Sequence, residues 1–322
     1  MEEKYSPKDS LLMLEHCKKL NLKTIVMDER IQLNMTKNKD WQKTVKEMVA
    51  DYEAHPMTYA YYLWDEPSQD DFKALTEIKS EFEKHTKKPL YVNLFPNYAS
   101  KEQLKSNSYF EHVENFLKMF KPFSLGFDHY PFIENNYDRV DYFANLMDIR
   151  ELALKYKTPF WTTIQSWPHL FYRPLSEEEV LWQVTTNLAY GAQGIFYFTY
   201  APPPWSDKKD AMISVKGQTT KQYDIAKSVN TYLNKISKLF SELTSTKVLH
   251  TKMNGHSVVV GYFENKAKRN FVYVVNRDYK NNITIEIPKN FTLEYSVDRA
   301  EWVKPSSKQT FNKAEGKLYQ LN

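Results

Sequence analysis

The sequence predicts a parallel α/β domain over residues 1–245, followed by a small antiparallel β-sandwich over 246–322. Along the first three quarters of the chain, short β-runs alternate with helical stretches six times, the pattern of parallel strands joined by right-handed crossovers. After about Thr246 the spacing of apolar residues changes to period two, in short runs separated by Asn, Lys and Gly. A length of 322 residues leaves room for a large and a small core.

The elements follow in order. DSLLMLEHCKKLN has helical spacing, with Asp9 or Ser10 as its cap, and leads into the β-run LKTIVMD at 22–28. DWQKTVKEMVADYEAH is a helix, followed by the strand TYAYYLW at 58–64. SQDDFKALTEIKSEFEKHT is a helix opened by Ser68, and the acids in its first turn suit the helix dipole. The strand PLYVNLF at 89–95 comes next, then the helical KEQLKSNSYFEHVENFLKMFK, then SLGFDHYPF at 124–132, which begins as a strand. The rhythm continues through YDRVDYFANLMDIRELALKY, PFWTTIQSW, SEEEVLWQVTTNLAYG and GIFYFTY to a long helix over roughly 219–243. HSVVVGYFE, NFVYVVNRD, NITIEIP, TLEYSVD and KLYQL are the strands of the second domain.

Composition narrows the function. A net charge of +4, with lysines spread along helical segments, argues against a nucleic-acid partner. The single cysteine, Cys17, provides no disulfide framework and no Cys-based zinc site. No stretch approaches the roughly 20 apolar residues that span a bilayer, and the polar start MEEKYSPKDS has no signal-peptide core. Only 7 glycines occur, and neither GxGxxG nor GxxxxGK[ST] is present, so a nucleotide cofactor is not expected. The 8 histidines are scattered without ligand spacing, so no catalytic metal is expected either.

In parallel α/β folds, active sites form at the carboxyl ends of the strands. Those ends hold Asp28, Glu29 and Arg30; Trp64, Asp65 and Glu66; Asn93 and Asn97; Asp128, His129 and Tyr130; Gln165 and Trp167; and Tyr200 and Trp205. Carboxylates, amides and aromatic rings at one rim suit a sugar, whose faces stack on rings while its hydroxyls bond acids and amides. Strand alternation puts Tyr62, Trp64 and Glu66 on one side and Asp65 on the other, which makes Glu66 the residue expected to point into a cleft. Pro67 should end the strand. The competing reading is that Asp65 and Glu66 only start the next helix, and that Asp28 with Glu29 and Arg30 forms a salt-bridged rim.

WDEPS, FDHYP two strands later, TIQSW on the next strand and GAQGIFYFTYAPPPW on the last together resemble the (β/α)8 glycoside hydrolases of clan A, related to the family 42 β-galactosidases and similar gut-bacterial proteins. The resemblance implies a TIM-type barrel, an oligosaccharide or glycoside substrate, and a periplasmic or secreted location. It also implies that Glu66 is the general acid/base at the end of the fourth strand, with Asp65 standing where the clan has Asn. The clan's nucleophile would fall at Gln165, and an amide cannot form a glycosyl ester. Asp128 is then the leading second carboxylate. The alternative is a carbohydrate-binding protein on a degenerate scaffold. Trp64, Asp65, Asn93, Tyr130, Gln165, Trp167, Tyr200, Trp205 and Asp28 are the expected substrate contacts. Trp161 is a further candidate stacking ring, although its place early in the strand favours core.

Counting from Glu66 makes LKTIVMD the third strand, so the resemblance also predicts a barrel lacking its first two strands. Such a sheet would have open edges at LKTIVMD and GIFYFTY, which invite association with another chain.

Overall fold

The computed structural model describes residues 5–206, 208 and 210–322, Asn136 by its backbone alone. Helix α1 (Pro7–Lys19) begins with proline at its first position, and the Ser6 hydroxyl caps it by accepting from the Asp9 N–H at 3.2 Å. Strand β1 (Thr24–Val26), α2 (Trp41–Tyr52), β2 (Thr58–Asp65), α3 (Phe72–Phe82), β3 (Leu90–Leu94), the single turn α4 (Lys101–Leu104), α5 (Tyr109–Phe120) and β4 (Leu125–His129) follow. A two-residue hairpin, β5 (Phe132–Ile133) and β6 (Tyr137–Asp138), precedes α6 (Tyr142–Tyr156), β7 (Phe160–Gln165), α7 (Glu177–Tyr190), β8 (Gly194–Phe198) and α8 (Lys221–Ser241). The strands of the predicted parallel sheet run in the order β1-β2-β3-β4-β7-β8, so β1 and β8 are its edges.

The chain divides into two compact units, one running to His129 and including Glu151–Phe160, the other made of Tyr130–Arg150 and Trp161–Asn322. In the first unit, β1 to β4 pair in parallel. All five residues of β3 are buried, the continuous apolar reading of a strand covered on both faces. Helix α5 sets Val113, Phe116, Leu117 and Phe120 on one buried stripe, and the Phe116 and Phe120 rings stack at 4.9 Å. Burial of each such side chain stabilises the unit by roughly 2 kcal/mol.

One irregularity matters for the site. Between Tyr62 and Trp64 the β2–β3 register slips: Tyr62 lies beside Tyr91, Trp64 beside Val92, and Asp65 beside Asn93. Beyond the slip the alternation is inverted, so Asp65 shares a face with Tyr62 although three positions separate them. This corrects the expectation from strict alternation, which put Asp65 opposite Tyr62.

In the second unit, β7 and β8 pair in parallel from Trp161 beside Gly194 to Gln165 beside Phe198. The antiparallel part begins at Leu243: β9 (Leu243–Met253), β10 (His256–Asn265), β11 (Asn270–Asn276), β12 (Ile283–Glu286), β13 (Phe291–Ser296), β14 (Glu301–Val303), β15 (Lys308–Phe311) and β16 (Gly316–Leu321). Six of these form a sheet in the order β14-β13-β16-β11-β10-β9, and β12 pairs with β15 in a second sheet. Val258, Val260, Val272 and Val274 from the larger sheet pack with Ile283, Ile285 and Phe311 from the smaller, forming the sandwich core that the alternating runs predict.

Candidate active site

The ends of β2, β3 and β4 bring together Asp65, Asn93 and Asp128. Asn93 is buried, and its Nδ2 donates to Asp65 Oδ1 at 3.0 Å and to Asp128 Oδ1 at 2.8 Å. Two hydrogens on one amide nitrogen diverge by about 120°, which sets the two carboxylate oxygens roughly 5 Å apart. The Tyr62 hydroxyl also donates to Asp65 Oδ1, at 2.9 Å.

Glu66 completes the cluster by a change of backbone direction. Its φ of 47° lies in the left-handed region, and its N–H donates to the Asn93 carbonyl at 2.7 Å. A glutamate in this conformation is uncommon and costs of the order of 1 kcal/mol, a strain that clusters at functional sites. Its carboxyl is half-buried and accepts no hydrogen bond from any described residue. Pro67 ends the strand, and Ser68 then caps the next turn, its N–H and hydroxyl donating to Asp71 Oδ2 at 2.9 and 2.6 Å. Asp71 thus belongs to the following helix start, whereas Asp65 and Glu66 do not.

Burial pushes all three carboxyls toward the neutral form, and each differs in what opposes it. Asp65 rises to about 6, held back by the Asn93 amide. Glu66 rises to about 8, through burial and then the charge of Asp65. Asp128 is raised well above the carboxylate range by burial and the charges of Glu66 and Asp65, which outweigh the Asn93 bond. Asp65, with two donors on one oxygen, is the carboxyl best suited to carry the negative charge. Among the described residues, no group of three His, Cys, Asp or Glu side chains has metal-binding geometry.

Other expected contacts take structural places. Asp28 is buried with both oxygens engaged: Oδ1 accepts from the Arg30 N–H at 2.8 Å and Nε at 2.9 Å, Oδ2 from Arg30 Nη2 at 2.7 Å and the Tyr52 hydroxyl at 2.5 Å. Asp28 is therefore paired with Arg30 in a salt bridge, one of the two arrangements that the sequence offered. Gln165 is 0% exposed, and its amide joins the hairpin as a ladder would: Oε1 accepts from Phe132 N–H at 3.0 Å while Nε2 donates to the carbonyls of Phe132 at 3.0 Å and Arg173 at 3.3 Å. Its side chain is fully spent on backbone and offers nothing to a sugar. Trp167, also 0% exposed, stacks on His169 at 4.9 Å and is core rather than platform. Trp161 is half-buried and packs against Gly194 and the Phe196 ring.

Trp64 is half-buried at the end of β2. Tyr130 is half-buried and stacks on Phe198 at 5.7 Å. Tyr200 and Trp205 remain open, at 60% and 45% exposure, in the segment after β8. Sequence reasoning missed Tyr62. A local signal existed in the run of rings Tyr59, Tyr61 and Tyr62, but the register slip that turns Tyr62 toward Asp65 has no sequence signature.

Neither a protein-family model nor a curated protein sequence matches the chain. Solved structures do. A GH27 β-L-arabinopyranosidase from Geobacillus stearothermophilus superposes with a TM-score of 0.51 at 9% identity, over 89% of this chain and 62% of that enzyme. A Bacteroides fragilis protein proposed to be an alpha-galactosidase/melibiase gives 0.52 at 7% identity, over 93% of this chain and 60% of its own length. An alpha-glucosyl transfer enzyme gives 0.53 at 9% identity, over 89% and 68%. The fold is that of a TIM-type (β/α)8 barrel lacking two strands, with a C-terminal β-sandwich. The likeness at such identity is one of fold alone, and the chain spans about three fifths of the length of the first two of these proteins. Among the described residues, no helix is long and apolar enough to cross a membrane.

Proposed function

We propose that this chain is a glycoside hydrolase in which Glu66 donates the proton to the leaving oxygen and Asp65 supplies the anionic carboxylate. The observation that carries the reading is the Asn93 amide gripping Asp65 and Asp128 at once, beside Glu66. Three acids crowded at the ends of parallel strands must titrate apart, and that separation is what acid/base hydrolysis of a glycosidic bond requires.

The roles follow from environment. Glu66 keeps its proton near neutral pH, and no hydrogen bond to a described residue competes for it, so the proton is available to a departing sugar oxygen. Asp65 ionises first and has two donors to stabilise the charge. Asp128, expected from the sequence to be the second carboxylate, is held more firmly in its neutral form. It serves better as a buried partner that fixes Asn93 than as a nucleophile. Trp64, half-buried directly before Asp65 on β2, is the side chain suited to stack on sugar. The carbohydrate class also agrees with what the two glycosidase neighbours are said to act on.

A second reading, carbohydrate binding without turnover, draws on the amide at Gln165, where the resemblance would have a nucleophile. Release of nitrophenol from a panel of aryl glycosides decides between them. Turnover by the wild type that is lost in Glu66→Gln with folding retained supports the hydrolase, whereas glycan binding with no turnover supports the second reading.

A further inference from the structure

We propose that Gly126 and Tyr91 are positioning residues for Asp65, acting through the hydroxyl of Tyr62. The inference rests on the hydrolase reading above for its catalytic meaning, but its geometry stands on three adjacent strands. Gly126 of β4 lies beside Asn93 of β3 in register, two residues before Asp128 on the same face. A methyl group built on Gly126 would fall 2.5 Å from Cζ and 2.7 Å from Cε2 of Tyr91, so the glycine is what makes room for that ring. Tyr91 is buried, and its ring packs on Tyr62 with centroids 5.5 Å apart at 49°. Tyr62 in turn donates to Asp65 Oδ1 at 2.9 Å.

Crowding at position 126 pushes Tyr91 toward Tyr62, and loss of the Tyr91 ring removes the support behind Tyr62. Both changes disturb one hydrogen bond. A hydroxyl donated to a carboxylate oxygen favours the ionised form, so weakening it makes Asp65 harder to ionise. Among the described residues, the ionisable groups around Asp65 are Tyr62 on its own strand, Glu66 directly after it, Tyr91 on β3 and Asp128 on β4. Asn93, the remaining donor, is shared with Asp128 and cannot compensate by turning.

The test is a carboxyl carbon-13 NMR titration of the full chain without substrate, with the Asp65 resonance identified by its loss in Asp65→Asn. Tyr62→Phe should raise the Asp65 midpoint by about one pH unit, the equivalent of one hydrogen bond to an ionised group. Gly126→Ala should shift it in the same direction, and the double variant should shift no further than Tyr62→Phe alone. If Gly126→Ala fails to fold, Tyr91→Leu makes the same prediction by removing the ring instead of crowding it. An unchanged Asp65 midpoint in folded Gly126→Ala or Tyr91→Leu overturns the proposal, as does a double variant whose shifts simply add. A chain that cleaves no glycoside yet shows these shifts refutes the proposed activity and supports the positioning column.

Discussion

Asp65 and Asp128 accept from a single nitrogen, the Nδ2 of Asn93, at 3.0 and 2.8 Å. One amide therefore fixes the spacing of two acids from different strands, and the charge of either raises the cost of ionising the other.

Replacing Asp65 by Asn should lower kcat on aryl glycosides by roughly 10³-fold, because the anionic role passes to a neutral amide. Asp128→Asn should cost less, since Asp128 is already held neutral. Steady-state kinetics on both variants checks the order, and equal losses would reverse the roles given to the two aspartates.

Glu66→Gln should show a dependence on leaving group. Sugars with poor leaving groups need the proton and should lose about 10²- to 10⁴-fold in rate, while dinitrophenyl glycosides, which leave unaided, should lose far less. In the wild type, activity should rise as pH passes about 6, where Asp65 ionises, and fall as it passes about 8, where Glu66 loses its proton. The two limbs belong to the coupled cluster, not to single residues. The alkaline limb should vanish in Glu66→Gln.

Stability carries the same signature with a definite sign. The Glu66 value in the folded protein lies above its ordinary 4.5, so the folded state binds the extra proton. The associated stability is complete below about pH 4.5 and is lost as pH rises toward 8. Melting temperatures across pH 5 to 9 should fall, and Glu66→Gln, which cannot ionise, should flatten that fall and be the more stable protein at the alkaline end.

Gln165→Glu places a carboxylate where the resemblance would have a nucleophile, yet it should damage the protein. It removes the donor to the Phe132 and Arg173 carbonyls and buries a charge, a loss of about 3 kcal/mol by urea unfolding. No gain of activity should accompany it.

Asp28→Asn should act on stability alone. It breaks a buried pair with Arg30 and a bond to Tyr52, for about 3 kcal/mol, and should leave KM for any cleaved glycoside unchanged in the folded fraction.

Much of this was legible in the chain. Strand and helix alternation, the change of period near Thr246, and the clustering of acids, amides and rings at strand ends are properties of local sequence, because side-chain period and capping are set by backbone geometry over a few residues. They located Glu66, Asp65, Asn93 and Asp128 on one rim before any contact was known. Tertiary structure alone decided which of them meet. The slip between Tyr62 and Trp64 turns Asp65 to the face of Tyr62 and Asn93, and register between strands depends on partners dozens of residues away. The same non-locality gave Asp28 to Tyr52, Gln165 to the Phe132 hairpin and Trp167 to the core. A polar residue at a strand end has the same sequence appearance whether its bonds are satisfied by protein or left for a ligand, and only packing settles that account.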